Sequence, residues 1–313
     1  MGLAVVLFII GIILIVKGGD FFVDAASWMA EVSGIPKFVV GATVVSLATT
    51  LPELLVSSMA AADGKVDMAI GNAIGSVTAN TGMIMAIGVF FMLPVMKRKQ
   101  LLPKGILLLM TVGALWFLSM GGSLTIRESI VLLVIFIVFI IINVMEAKEG
   151  AALNTDEKPD HSGPVILANI GKFVFGAAGI VVGSQLLVDN GSFIAAELGV
   201  PEKVIALTAV AIGTSLPELV TTITAIIKKQ SSLSVGNIIG ANIIDCALIL
   251  PVCAMISKGS IEVSRSTIYL DMPVCALVSA IMLVPSFFTQ KFQKWQALTA
   301  FVVYIVYLVM VCV

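Results

Sequence analysis

Glu53 and Glu218 are the residues best placed to do chemistry in this chain, and both stand in one local setting. Thr49-Thr50-Leu51-Pro52-Glu53 returns 165 positions later as Thr214-Ser215-Leu216-Pro217-Glu218. Both segments lie inside long apolar stretches with no Lys or Arg near their centres. A carboxylate deep in a bilayer costs about 3 kcal/mol or more, so it marks a functional site by default. With no cation from the chain to neutralise it, the chemistry indicated is the binding of a positive ion. The prolines add to this. Each lacks an N–H and so leaves the carbonyl four residues back, at Ala48 and at Gly213, without its helical donor. Loosened backbone at membrane depth persists where it lines a polar cavity, and freed carbonyls there bind cations. Thr49 and Thr50, or Thr214 and Ser215, add hydroxyl oxygens three and four residues before each glutamate.

A second pair of segments supplies more oxygen. Asn72, Ser76 and Asn80 recur every four residues and form one helical stripe, matched at the same offset by Asn237, Ala241 and Asp245. The inventory is carboxylate, amide, hydroxyl and carbonyl. It suits hard cations such as Ca²⁺ and Na⁺ rather than zinc, copper or iron. Two or three carboxylates balance one Ca²⁺ or two to three Na⁺, and one set of oxygens cannot hold both loads at once. Competition of that kind, at a site exposed alternately to each side, is the requirement for antiport. His161 is the only histidine and falls in a polar loop. Cys246, Cys253, Cys275 and Cys312 show no metal-ligand spacing, so no resident metal or cofactor is expected.

These segments need elements to hold them in a membrane. The chain of 313 residues is 59% hydrophobic and 12% charged, with mean hydropathy +1.12, more apolar surface than a soluble domain can bury. Apolar runs long enough to span a bilayer occur ten times, at about 3–25, 38–61, 66–94, 103–120, 126–145, 165–188, 203–227, 231–257, 267–285 and 294–312. The expected fold is an all-α integral membrane protein. A net charge of −1 points to no nucleic-acid partner.

The offset of 165 also aligns Gly18 with Gly183, Asp24 with Asp189, Pro36 with Pro201 and Gly75 with Gly240. Five spans precede the break and five follow it, so the second repeat enters from the opposite side. The chain is expected to divide into a repeat at 1–145, a cytoplasmic linker at 146–163 and an inverted repeat at 164–313, with the site near the midplane between repeats. If the N-terminus is outside, loops on the inner side carry eleven Lys or Arg against five outside. The positive-inside bias then sets both termini outside a cell membrane. Asp20, Asp24, Asp189 and Asp271 read as interfacial acids near span ends.

The motifs Gly-Ala-Thr at 41–43, Thr-Thr-Leu-Pro-Glu at 49–53, Gly-Asn-Ala-Ile-Gly-Ser at 71–76, Gly-Thr-Ser-Leu-Pro-Glu at 213–218 and Gly-Asn-Ile-Ile-Gly at 236–240 resemble the repeats of the calcium/cation antiporter superfamily, nearest to its prokaryotic sodium/calcium exchanger branch. The resemblance implies ten helices, with two gate helices sliding on a four-helix core. It implies Ca²⁺ on Glu53 and Glu218 with the carbonyls of Thr49 and Thr214. It implies Na⁺ ligands among Thr50, Ser76 and Ser215 and the carbonyls of Ser46 and Ala211, with Asn80 and Asp245 completing the centre. Two positions depart from the family pattern: Ala48 replaces a glycine and Ala241 replaces a serine. The expected function is Ca²⁺ export against Na⁺. Ca²⁺/H⁺ exchange is the alternative, although Ala73-Ile74-Gly75 lacks the acid typical of the proton-coupled branch. A cation channel would need rings of charge along a pore. An intramembrane protease, ranked last, would need paired aspartates, whereas Asp245 alone is central.

Overall fold

A computed structural model describes residues 2–94, 97–153, 162–199 and 213–312. The molecule is all-α apart from two three-residue strands. In chain order the helices are α1 (Gly2–Ser33), α2 (Lys37–Thr49), α3 (Leu51–Ala62), α4 (Val66–Met92), α5 (Arg98–Ser119), α6 (Ile126–Leu153), α7 (Gly163–Glu197), α8 (Leu216–Ile227), α9 (Ser231–Ile256), α10 (Thr267–Thr289) and α11 (Lys294–Cys312). Among the described residues, eight of these are long and apolar enough to cross a membrane alone, and α2 with α3 makes a ninth as a bent pair. Of the segment expected at 203–227, residues 203–212 lie outside the described residues, and α8 forms its described end. Phe117, Leu167, Phe175 and Phe288 point their large side chains outward, as a lipid-facing surface requires.

The centre belongs to α4 and α9. Of their most apolar windows, 72% and 83% is buried, against 11% for α7 and 22% for α6. Ile70, Ile74, Ile84, Ile239, Ile243 and Ile249 fill this core. Helix α2 crosses α9 almost backbone to backbone. A Cβ on Gly236 would stand 2.2 Å from the Phe38 carbonyl oxygen, and one on Gly41 would stand 2.3 Å from that of Leu233. Only glycine permits this approach, which is how small residues bring membrane helices together. At the edge, α1 lies along α7 in the same manner, with Gly11 facing Gly183 and Gly18 facing Gly176.

Two features were not expected from the sequence. The strands Ser123–Thr125 and Ser260–Glu262 pair antiparallel, Leu124 opposite Ile261, and tie the turn before α6 to the turn before α10. Helix α6 also continues through the polar stretch from Glu146 to Leu153. Side-chain partners explain the continuation. Glu146 pairs with buried Lys104 at 2.7 Å, Glu149 pairs with Lys99, and Pro36 packs at Gly150. His161 lies outside the described residues, while Cys246, Cys253 and Cys275 are buried free thiols.

Candidate functional site

The two expected helix breaks have the same backbone geometry. Thr50, between α2 and α3, sits at φ −86°, ψ 2°, and Ser215, leading into α8, at φ −85°, ψ 5°. Each is followed by Leu-Pro-Glu, with the proline in the first turn of the new helix, where its missing N–H costs no hydrogen bond. The bend between α2 and α3 is 45°. Both glutamates therefore occupy the first turn of a helix, and both are completely buried.

The stripe residues occupy a second matched feature. Asn80 and Asp245 each open a π-helical segment, Asn80–Met85 in α4 and Asp245–Ile249 in α9. Such single-turn widenings concentrate at functional sites because they re-aim side chains and loosen the helical hydrogen-bond ladder. Helix α3, which carries Glu53, packs on the Asp245–Ile249 segment, and α8, which carries Glu218, packs on the Asn80–Met85 segment. All six carboxylate oxygens of Glu53, Glu218 and Asp245 are buried and accept no hydrogen bond from the described residues, nor does Oδ1 of Asn80. Acceptors crowded this way without donors fit a cation, since an unpaired buried charge is otherwise strongly destabilising. The buried Lys104 is committed to Glu146 and to the face of Phe38, 4.6 Å from the ring centre, so it does not serve the acids. Among the described residues, no three of His, Cys, Asp and Glu cluster closely enough to hold a metal alone. An ion here must draw on neutral oxygens as well.

Those oxygens are close by. The Thr49 hydroxyl donates to Asn237 Oδ1 at 3.1 Å, across α2 and α9. Ser76 Oγ stands 3.5 Å from Thr214 Oγ1, joining α4 to the second break. Ser215 Oγ is buried without a partner among the described residues. Asn72 turns its amide away from the acids, donating to Ser57 Oγ at 2.9 Å and to the Glu53 carbonyl at 3.4 Å. Ala241 is fully buried and brings only a methyl group. The Ser46 carbonyl accepts the Thr50 N–H at 2.9 Å and the hydroxyls of Thr49 and Thr50, so in this conformation its lone pairs are taken. Ala211 lies outside the described residues. A cavity of about 250 Å³ reaches both breaks, touching Pro52, Asn72, Thr214 and Pro217 and passing Ser184 and Asp189 of α7.

The sequence reading missed three residues here. Asn242 Oδ1 accepts from Asn80 Nδ2 at 3.1 Å, and Asn242 Nδ2 donates to Thr81 Oγ1 at 2.8 Å. This fully buried chain fixes the Asn80 amide with its NH₂ tied back and its oxygen free. Asn242 lies one position past the stripe at 237, 241 and 245, so spacing gave no sign of it. Ser57, four residues after Glu53, was detectable by the i, i+4 rule.

Buried acids without donors among the described residues, set at matched breaks in a membrane-spanning helical body, fit the class of protein that takes cations into the bilayer. The comparisons with known proteins extend this. The family profile described as "Sodium/calcium exchanger protein" matches residues 3–145 and 168–313. An uncharacterized membrane protein of Methanocaldococcus jannaschii is 31% identical, over 92% of this chain and 89% of its own. The sodium/calcium exchanger MaX1 of Methanosarcina acetivorans is 29% identical, over 88% and 89%. The solved structure of the sodium-calcium exchanger NCX_Mj, soaked with Na⁺ and Sr²⁺, superposes with a TM-score of 0.84 at 29% identity, covering 97% of each chain. The chain belongs to the sodium/calcium exchanger family. It is a membrane ion antiporter and not an enzyme.

Proposed function

We propose that this chain exchanges Ca²⁺ for Na⁺ by alternating access, at a site formed by Glu53, Glu218, Asp245 and Asn80 with the oxygens of Thr49, Thr50, Thr214, Ser215 and Ser76. Ser46 and Ala211 would add carbonyls in a conformation that releases the first of them. The carrying observation is the set of six buried carboxylate oxygens with no donor among the described residues. Ca²⁺ would engage both glutamates at once, whereas Na⁺ ions would spread over one carboxylate each and the neutral oxygens. The reading includes ten spans as two inverted five-helix repeats. The paired breaks at Thr50 and Ser215 and the paired π-helical segments at Asn80 and Asp245 support it. It also sets both termini outside the cell membrane, with the polar stretch that follows α6 inside.

Reconstitution tests the proposal. Purified protein in proteoliposomes should take up ⁴⁵Ca²⁺ when an outward Na⁺ gradient is imposed. Glu53→Gln and Glu218→Gln should each abolish uptake while the protein stays folded, because an amide offers one oxygen and no charge. Uptake driven by a pH gradient but not by Na⁺ would establish the Ca²⁺/H⁺ alternative. Flux without any counter-ion would establish a channel.

A further inference from the structure

A second polar cavity, of about 380 Å³, lies at the foot of α2, α5 and α9, away from the carboxylates. Lys37, Lys97 and Lys229 line it, with Gln100, Ser231 and Ser232, and among the described residues no acidic side chain does. Lys37 is shared with Glu31 at 2.7 Å, but among the described residues Lys97 and Lys229 pair with no carboxylate. Two long helices also begin at this cavity. Among the described residues, neither α5, after Lys97, nor α9, after Gln230, has a side-chain cap. Their first N–H groups therefore lack helical acceptors at the positive end of each dipole. Lys97 and Lys229, with no carboxylate partner among the described residues, and two helix starts without a side-chain cap gather positive charge around one open volume.

We propose that this cavity binds a phosphate-bearing anion, either the headgroup of an anionic lipid or a soluble phosphate. Lysines supply point charge, and the amide and hydroxyl groups of Gln100, Ser231 and Ser232 can complete a shell around phosphate oxygens. The placement gives the ligand leverage. Lys37 and Phe38 open α2, the helix that ends at Thr49, and Ser231 opens α9, the helix that carries Asn237 and Asp245. One anion would clamp the starts of both helices to α5. The inference stands whichever counter-ion the antiporter uses.

The test follows thermal unfolding of the full chain in detergent, by tryptophan fluorescence, at constant ionic strength without Na⁺ or Ca²⁺. The probes are choline phosphate buffer and a short-chain phosphatidic acid below its micellar concentration, each compared with choline chloride. The unfolding midpoint should rise with at least one phosphate probe. Saturation by the lipid at lower concentration than inorganic phosphate identifies a headgroup, and saturation by inorganic phosphate alone identifies a soluble ligand. Near a charged headgroup each lysine is worth about 1 kcal/mol, so Lys97→Gln with Lys229→Gln should weaken the response about 30-fold. If that pair does not fold, Lys97→Gln alone should weaken it about 5-fold. Lys65→Gln with Lys258→Gln removes equal charge elsewhere and should leave the response unchanged. Equal weakening by both pairs, or no stabilisation of the unmodified chain by either probe, would overturn the proposal.

Discussion

Asn242 spends its hydrogen bonds on Asn80 and Thr81, yet its replacement should impair ion binding. Asn242→Leu keeps the branched shape of a fully buried side chain, at a larger volume, and removes two hydrogen bonds, one from Asn80 at 3.1 Å and one to Thr81 at 2.8 Å. Interhelical hydrogen bonds in membrane proteins are worth about 0.6 kcal/mol each, so the fold should lose only about 1–2 kcal/mol. The site should lose more. Once released, the Asn80 amide can rotate its NH₂ toward the unpartnered carboxylates of Glu53 and Asp245. A neutral ligand oxygen would then become a donor bound to the anions the ion needs. Hydrogen bonds to charged groups are worth about 1.5–3 kcal/mol, and that energy now opposes the ion. The Ca²⁺ concentration for half-maximal exchange should rise about 10- to 150-fold. Thr81→Val leaves the Asn80–Asn242 contact in place and should shift it less than about 3-fold. The assay is ⁴⁵Ca²⁺ uptake over a Ca²⁺ series in proteoliposomes, with the unfolding midpoint measured alongside. A folded Asn242→Leu protein with unchanged Ca²⁺ dependence would show that Asn80 needs no clamp, and the orientation argument would fail.

Three further outcomes follow from the packing and the repeat. Gly236→Ala puts a methyl group 2.2 Å from a backbone carbonyl that cannot move aside; overpacking of this kind costs about 1–3 kcal/mol or more, so the unfolding midpoint should fall clearly, and an unchanged midpoint would contradict the close crossing of α2 and α9. Ala241→Ser restores a hydroxyl opposite Ser76 in the repeat register, so it should lower the Na⁺ concentration for half-maximal exchange and leave the Ca²⁺ dependence nearly unchanged; no change in Na⁺ activation would mean the asymmetry has no functional weight. Single cysteines at Asp63 and Glu197, in a cysteine-free background, should react with an impermeant thiol reagent from outside, and one at Arg98 only from inside. The reverse pattern would invert the proposed orientation.

Local and periodic features were legible in the sequence. The two Leu-Pro-Glu breaks could be placed because proline and buried acid act on the residues beside them, and Thr50 and Ser215 duly share one backbone conformation. The stripe at 72, 76 and 80 followed from helical spacing, and the structure buries all three residues. Pairings across long separations were not legible. The Thr49–Asn237 contact joins positions 188 apart, and Asn242 is recruited by Asn80 from 162 residues away. Nothing local marks either. The partner of Asp24 was hidden for the same reason. It reads as an interfacial acid, and Lys228, from 204 positions away, reaches it at 2.8 Å and Asp20, one turn before it, at 3.4 Å. The helical course of residues 146–153 was hidden because its supports, Lys104 and Lys99, belong to another helix. Helix propensity alone does not reveal such partners.

The crossing of α2 over α9 also has a consequence for how the protein is made. Thr49 leaves the ribosome 188 residues before Asn237 does. At synthesis rates of about 5–20 residues per second, that interval is roughly 10–40 s. Throughout it the groove beside Gly41 has no occupant, and Glu53 sits in the nascent half without the second set of oxygens. The early half must wait in the membrane, or at the insertion machinery, for the late half to fill it. Truncation after the first five spans should therefore leave a product that quality-control proteases remove, and two separately expressed halves should persist only when both are made together.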